Sequence, residues 1–232
     1  MRWLAFAMAL LAAACSSDDP ATCGDASSCP AGMTLVSASC GSFCIDSTEV
    51  TRDQYAQFLG QAPAPGGQPE PCAWNQSFEP SCPLGEVPGN DPNLPITCVD
   101  WCDAGAYCAW AGKRLCTLEH RNSPGLWDTA CLATFGHLDA DPPGCNLHSG
   151  AMKPVGTSVG CSGKNPPLDG LFDLIGNAAE WTDDCVAGFD EGVVYCAALG
   201  ASAFNGDTVC GSGVTFEPTY RDPFVGFRCC GP

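Results

Sequence analysis

Two sets of side chains in this sequence have the types and spacing for chemistry: an oxygen-rich turn at residues 173–180 and an unusual store of thiols. In Gly170-Leu171-Phe172-Asp173-Leu174-Ile175-Gly176-Asn177-Ala178-Ala179-Glu180-Trp181, two carboxylates flank a Gly-Asn-Ala turn that can aim backbone carbonyls inward. An oxygen-only, flexible cage of this kind is what calcium prefers. The competing reading makes Asn177 and Glu180 hydrogen-bonded core groups that only fix the turn. Of the nineteen cysteines none forms a Cys-x2-Cys pair; Cys40 with Cys44 and Cys98 with Cys102 come nearest, so structural zinc is not expected. His120, His137 and His148 show no i,i+4 pairing and read as loop residues. The chain has no Gly-x-Ser-x-Gly elbow, no phosphate loop and no histidine-metal cluster. Asp183 and Asp184 read as exposed acids after a helix or strand, not as an acid/base pair. No catalytic residue is assigned.

The thiols say more about compartment than about catalysis. Setting aside Cys15 leaves eighteen cysteines, an even number able to close up to nine bridges, and a reducing cytosol would not sustain them. Twenty prolines and 27 glycines break helices and fill turns. Bridges therefore replace regular structure as the source of order, each contributing about 2–4 kcal/mol by restricting the unfolded chain. The adjacent Cys229 and Cys230 most simply bridge to two different partners.

The N-terminus fits an exported chain. Arg2 precedes an apolar run from Trp3 to Leu11, then Ala12, Ala13 and Ala14 lead to Cys15. The run is too short to span a bilayer, which needs about 20 apolar residues. Followed by Ser16-Ser17-Asp18-Asp19-Pro20, it resembles a bacterial lipoprotein signal. The alternative is an ordinary secretory peptide with Cys15 as one more thiol. On the lipoprotein reading, residues 1–14 are a signal peptide, Cys15 is lipidated, 15–32 form a tether stapled at Cys23 and Cys29, and 33–232 are one domain. Ser16 after the cysteine points to the outer membrane or cell surface. The net charge of −17 repels phosphate backbones, no Lys/Arg cluster offsets it, and nucleic-acid binding is excluded.

Few regular elements can be placed to position these groups. Thr51-Arg52-Asp53-Gln54 is a capping box that starts a helix over Arg52–Leu59, with Tyr55, Phe58 and Leu59 on one face. A second helix begins near Asp100–Asp103, turns Ala104, Tyr107, Cys108 and Ala111 inward and stops at Gly112. Short strands are expected at Met33–Val36, Phe43–Ile45, Val193–Cys196 and Gly226–Cys229. The Pro-, Gly- and Asn-rich stretch from Gln61 to Pro95 reads as an inserted loop pinned by Cys72 and Cys82.

Four ordered segments resemble the formylglycine-generating enzyme (sulfatase-modifying factor) family. They are Phe43-Cys44-Ile45-Asp46-Ser47-Thr48-Glu49-Val50-Thr51 with Gln54, Tyr55 and Phe58; Pro95 to Ala104 with Tyr107, Trp110 and Gly112-Lys113-Arg114-Leu115-Cys116-Thr117; Gly170 to Thr182; and Gly226-Phe227-Arg228. Cys116 stands where the family pattern has proline. The resemblance implies a single irregular, loop-rich, disulfide-rich α+β domain related to C-type lectin-like folds. It implies calcium held by the side chains of Asp173 and Glu180 and the carbonyls of Gly176 and Ala178, and a second site beginning at Asn146 and Leu147 whose later acidic ligand is missing.

The family's founding enzymes use two cysteines, four residues apart, to hold copper(I) and oxidise a substrate cysteine to formylglycine; soft thiolates suit that ion. Here Gly200-Ala201-Ser202-Ala203-Phe204 is a loose match to the lead-in. Gly206 falls where the first cysteine belongs, and Cys210 sits one place from the second. Copper is not expected, and Cys210 reads as part of the disulfide framework. The expected function is a calcium-stabilised binding or scaffold domain for a protein, peptide or glycan ligand, tethered to the membrane by lipid. The alternative is a copper-dependent oxidase using an unrecognised thiol pair.

Overall fold

Helix α1, Arg52–Gly60, begins as its sequence dictates. Thr51 Oγ1 accepts the Gln54 N–H at 3.2 Å, and Gln54 Oε1 accepts the Thr51 N–H at 2.8 Å. The helix turns Tyr55 and Phe58 into the core. Helix α2, Trp101–Trp110, carries a second box, in which Asp100 and Asp103 exchange backbone N–H bonds. It stops before Gly112, whose φ of +72° is open to glycine at little cost. Helix α3, Leu126–Phe135, was not expected: Gly125 at its N-cap offers no side-chain bond, and buried residues surround its first turns.

The computed structural model describes residues 25–38, 41–82, 90–117, 125–138, 140–188, 192–204, 210–211 and 213–231. The signal peptide, Cys15, Cys23, His120 and Gly206 of the sequence reading lie outside these. Two four-stranded sheets accompany the helices. The first has the order β1-β2-β8-β3, with β1 Met33–Ala38, β2 Gly41–Asp46, β3 Arg114–Leu115 and β8 Cys229–Gly231. The second has the order β6-β5-β4-β7, with β4 Ala179–Ala187, β5 Val194–Leu199, β6 Gly213–Phe216 and β7 Val225–Phe227. All pairings are antiparallel except β4 with β7. The strand expected at Gly226–Cys229 is thus two strands in different sheets, separated at Arg228, whose side chain turns inward. Asp183 and Asp184 lie within β4 and not after it.

The result is an irregular, loop-rich α+β domain with two apolar cores. One gathers Tyr55, Phe58, Tyr107, Trp181 and Phe227; the other gathers Phe43, Ile45, Leu126, Trp127, Leu174 and Ile175. Residues 25–32, assigned by composition to the tether, are held to β2. Asp25 bridges Ser42, Ala26 N–H bonds the Ser42 carbonyl at 3.1 Å, and Cys29 is bridged to Cys44. The inserted loop is pinned by Cys72–Cys102 and Cys82–Cys98. Cys229 and Cys230 take separate partners, Cys108 and Cys116. Cys131–Cys210, Cys145–Cys161 and Cys185–Cys196 complete the set, so every described cysteine is bridged. Bridges in this number belong to an oxidising compartment, so the chain is exported from the cytosol. Among the described residues no helix is long and apolar enough to cross a membrane.

The α2 cap gives the fold a pH dependence. Asp100 and Asp103 are both fully buried. Arg221 Nη2 reaches them at 2.6 and 2.9 Å, and Asn75 Nδ2 donates to Asp103 at 2.8 Å. Burial first, and then the charge of Asp100, push Asp103 up to about 7 from an ordinary 3.8. Between those values the folded chain holds a proton that the unfolded chain has released. Stability from this group is therefore complete below the lower value and lost as pH rises through the upper. Thermal melts across this range should show stability declining with pH, and Asp103→Asn should flatten the decline; an unchanged slope would refute the assignment.

Candidate functional site

The residues marked by the sequence meet in a buried polar centre. Arg228, between β7 and β8, points inward and is fully buried. Its Nε donates to Glu180 Oε1 and Oε2 at 2.9 and 2.8 Å, and its Nη2 donates to Glu180 Oε1 at 2.7 Å. The remaining donors reach the carbonyls of Asp46 at 2.9 Å and Phe172 at 2.8 Å. Trp127 of α3 adds its indole N–H to Glu180 Oε2 at 2.8 Å. Arg228 follows Phe227 of one core and precedes Cys230 of the other, while Trp127 belongs to the second. The ion pair thus joins both cores.

Asn177 forms the other half of the centre. Its Nδ2 donates to Glu49 Oε1 at 2.9 Å, and its Oδ1 accepts from Asn146 Nδ2 and the Lys153 N–H, both at 2.9 Å. The Asn177 backbone N–H bonds the Asn146 carbonyl at 2.8 Å. This needs φ of +60° at Asn177, a region asparagine tolerates. Gly176 has φ of +86°, and a Cβ there would meet the Asn146 carbonyl oxygen at 2.8 Å, so only glycine fits. Asp173 Oδ2 accepts the Gly156 N–H at 2.8 Å. Glu49 Oε2 and Asp173 Oδ1 are buried without a hydrogen-bond partner.

Three carboxylates thus share one guanidinium. Burial and then the charge of Asp173 hold Glu49 well above the usual carboxylate range. Burial raises Asp173 and Glu180 too, the latter against the pull of Arg228. Desolvation would lower Arg228, but Glu180 outweighs it and raises that group instead.

Asn146 and Leu147, assigned by the sequence reading to a second site, lie against Gly176 of the first. A carboxylate offers about four lone-pair positions, and Arg228 with Trp127 makes four contacts to Glu180. Asn146 Oδ1 accepts from Ser149 Oγ at 2.7 Å, and Leu147 packs on the second core. Among the described residues no three His, Cys, Asp or Glu side chains converge to hold a metal. The residues present do not fit calcium at Glu180, because an internal guanidinium already neutralises that carboxylate. Glu49, Asp173, Asn177, Glu180 and Arg228 are each at most 1 % exposed. No substrate reaches them, and the arrangement holds the fold together. Glu49 and Arg228 stood in the matched segments with no role assigned, and Trp127 stood in none of them. Yet an arginine set in Phe227-Arg228-Cys229-Cys230 signals burial, and a buried arginine needs a carboxylate.

The lead-in to the copper position runs along this centre. Gly200 accepts the Gly176 N–H at 2.6 Å through its carbonyl, and the Ala203 N–H bonds the Asn177 carbonyl at 2.8 Å. Beyond it, Cys210 is bridged to Cys131 on α3. A model of the sulfatase-modifying factor enzyme 1-like domain matches residues 33–231. The chain belongs to the formylglycine-generating enzyme (sulfatase-modifying factor) family. Within the family it is 37 % identical over 134 residues to the inactive C-alpha-formylglycine-generating enzyme 2 of Mus musculus, covering 50 % of this chain and 39 % of that protein. It is 33 % identical over 110 residues to the formylglycine-generating enzyme of Bos taurus, covering 40 % of this chain and 28 % of that protein. These matches span well under half of either relative. The crystal structure of CarF superposes with a TM-score of 0.56 at 20 % identity, covering 88 % of this chain and 94 % of CarF, which speaks to the fold alone.

Proposed function

We propose that this protein is a non-catalytic member of its family: an exported, disulfide-stapled binding or scaffold domain, held at the outer membrane or cell surface by lipid on Cys15. The Cys131–Cys210 bridge carries the reading. Copper(I) chemistry needs two free thiolates facing one groove, and Cys210, the cysteine nearest the family's second position, is already bonded to Cys131 of α3. The mouse relative, named as inactive, supports the same direction. The motif residues that survive, Glu49, Asn177, Glu180 and Arg228, serve as buried structural groups, which explains how the fold persists without the metal centre. Calcium has no part in this reading, since Glu180 is spoken for by Arg228.

Oxidatively folded protein should take up no stoichiometric copper(I) against a competing chelator and should leave the cysteine of a sulfatase-motif peptide unoxidised. Tight copper binding with formation of the aldehyde would replace this reading with an oxidase. Anchoring is tested separately: Cys15→Ser should move the protein from the membrane to the soluble fraction, and unchanged membrane association would refute lipidation.

A further inference from the structure

A cleft of ≈ 580 Å³ opens beside β6, away from the buried centre, and its walls include Tyr195, Thr215, Phe216, Glu217, Tyr220 and Arg221. The volume lies in the range of small-molecule sites. Two aromatic rings of the wall are fixed in place. Phe216 and Tyr220 stack at 4.1 Å between centroids with planes 12° apart, and Trp181 of the core meets Phe216 edge-on at 5.9 Å. The Tyr220 hydroxyl donates to Asp222 at 2.9 Å, which sets the ring's orientation and leaves it 36 % exposed.

The charge at the cleft is negative despite its arginine. Arg221 is spent on Asp100 and Asp103, at 2.6 and 2.9 Å, and on the Glu79 carbonyl at 2.8 Å. Glu217 lines the cleft, is exposed, and makes no ion pair among the described residues. Aromatic faces beside an unneutralised carboxylate attract organic cations, since the ring quadrupole and the carboxylate act with the same sign. The chain's net charge of −17 adds a field that draws cations and turns away anions.

We propose that this cleft binds a small organic cation with an alkylammonium head, which rests over Tyr195, Phe216 and Tyr220 with Glu217 as counter-ion. The proposal rests on the binding-domain reading and gives that domain a ligand class.

Choline chloride and its neutral carbon isostere, 3,3-dimethyl-1-butanol, test it by calorimetric titration of the full oxidised chain. Choline should bind saturably, and the isostere roughly ten-fold more weakly, as loss of the cation–π and ionic terms implies. Glu217→Gln, an exposed change outside the core, should weaken choline about three-fold or more at an unchanged melting temperature. Equal affinity for the isostere, no saturable choline binding, or a Glu217→Gln variant that binds choline as well as the parent would each overturn the proposal. Those failures, in protein that takes up no copper, would leave the non-catalytic reading standing. Copper uptake would remove that reading without bearing on choline affinity.

Discussion

Replacing Arg228 by methionine should be among the most costly single substitutions in this chain. The change keeps an unbranched apolar stem, shortens it, and removes the one cation shared by Glu180, Glu49 and Asp173. Removing one partner of a buried ion pair costs about 3–5 kcal/mol, because the remaining charge stays desolvated and unpaired. In a domain of this size that corresponds to roughly 10–15 °C in melting temperature. The double variant Arg228→Met/Glu180→Gln should recover much of the loss, since it removes the orphaned charge and keeps an acceptor for the Trp127 indole. Chemical unfolding of the parent, single and double variants measures the coupling. A single variant within about 1 kcal/mol of the parent, the range of an exposed ion pair, would show that this pair is not what neutralises the centre.

The second large effect lies in the bridges that flank Arg228. Cys108–Cys229 closes a sequence separation of 121 residues, whereas Cys185–Cys196 closes one of 11. Loop-closure entropy makes the first worth about 5 kcal/mol and the second about 3 kcal/mol. Cys108→Ala/Cys229→Ala should therefore destabilise the chain more than Cys185→Ala/Cys196→Ala. The long-range pair also holds β8 to α2, next to the residue that crosses between the sheets. Equal losses from the two pairs, measured by denaturant unfolding, would mean that local packing and not chain restriction sets the contribution of these bridges.

Local signals were legible in the sequence, and long-range ones were not. The capping box at Thr51, the helix start near Asp100, the stop at Gly112, and the separate partners of Cys229 and Cys230 follow from spacing over a few residues. Helix α3 escaped because Gly125 gives no cap and its apolar positions do not keep to one face. The strand at 226–229 was misjudged because its apolar run hides a change of sheet at Arg228. The calcium expectation arose from Asp173 and Glu180 read within their own turn. The group that occupies Glu180 comes from 48 residues further on, and no local pattern reveals such a partner. The place of Cys210 in the disulfide framework was legible, whereas the identity of Cys131 as its partner was not, since an even set of cysteines leaves connectivity open.

The central proposal is that Cys210, the cysteine nearest the family's second copper position, is held in a structural bridge and is not free for chemistry. Alkylation of the oxidised, unreduced protein followed by peptide mapping tests it most directly. The account predicts a Cys131–Cys210 cross-linked peptide and no alkylated thiol apart from Cys15 where lipid is absent; an alkylated Cys210 in folded protein would contradict it.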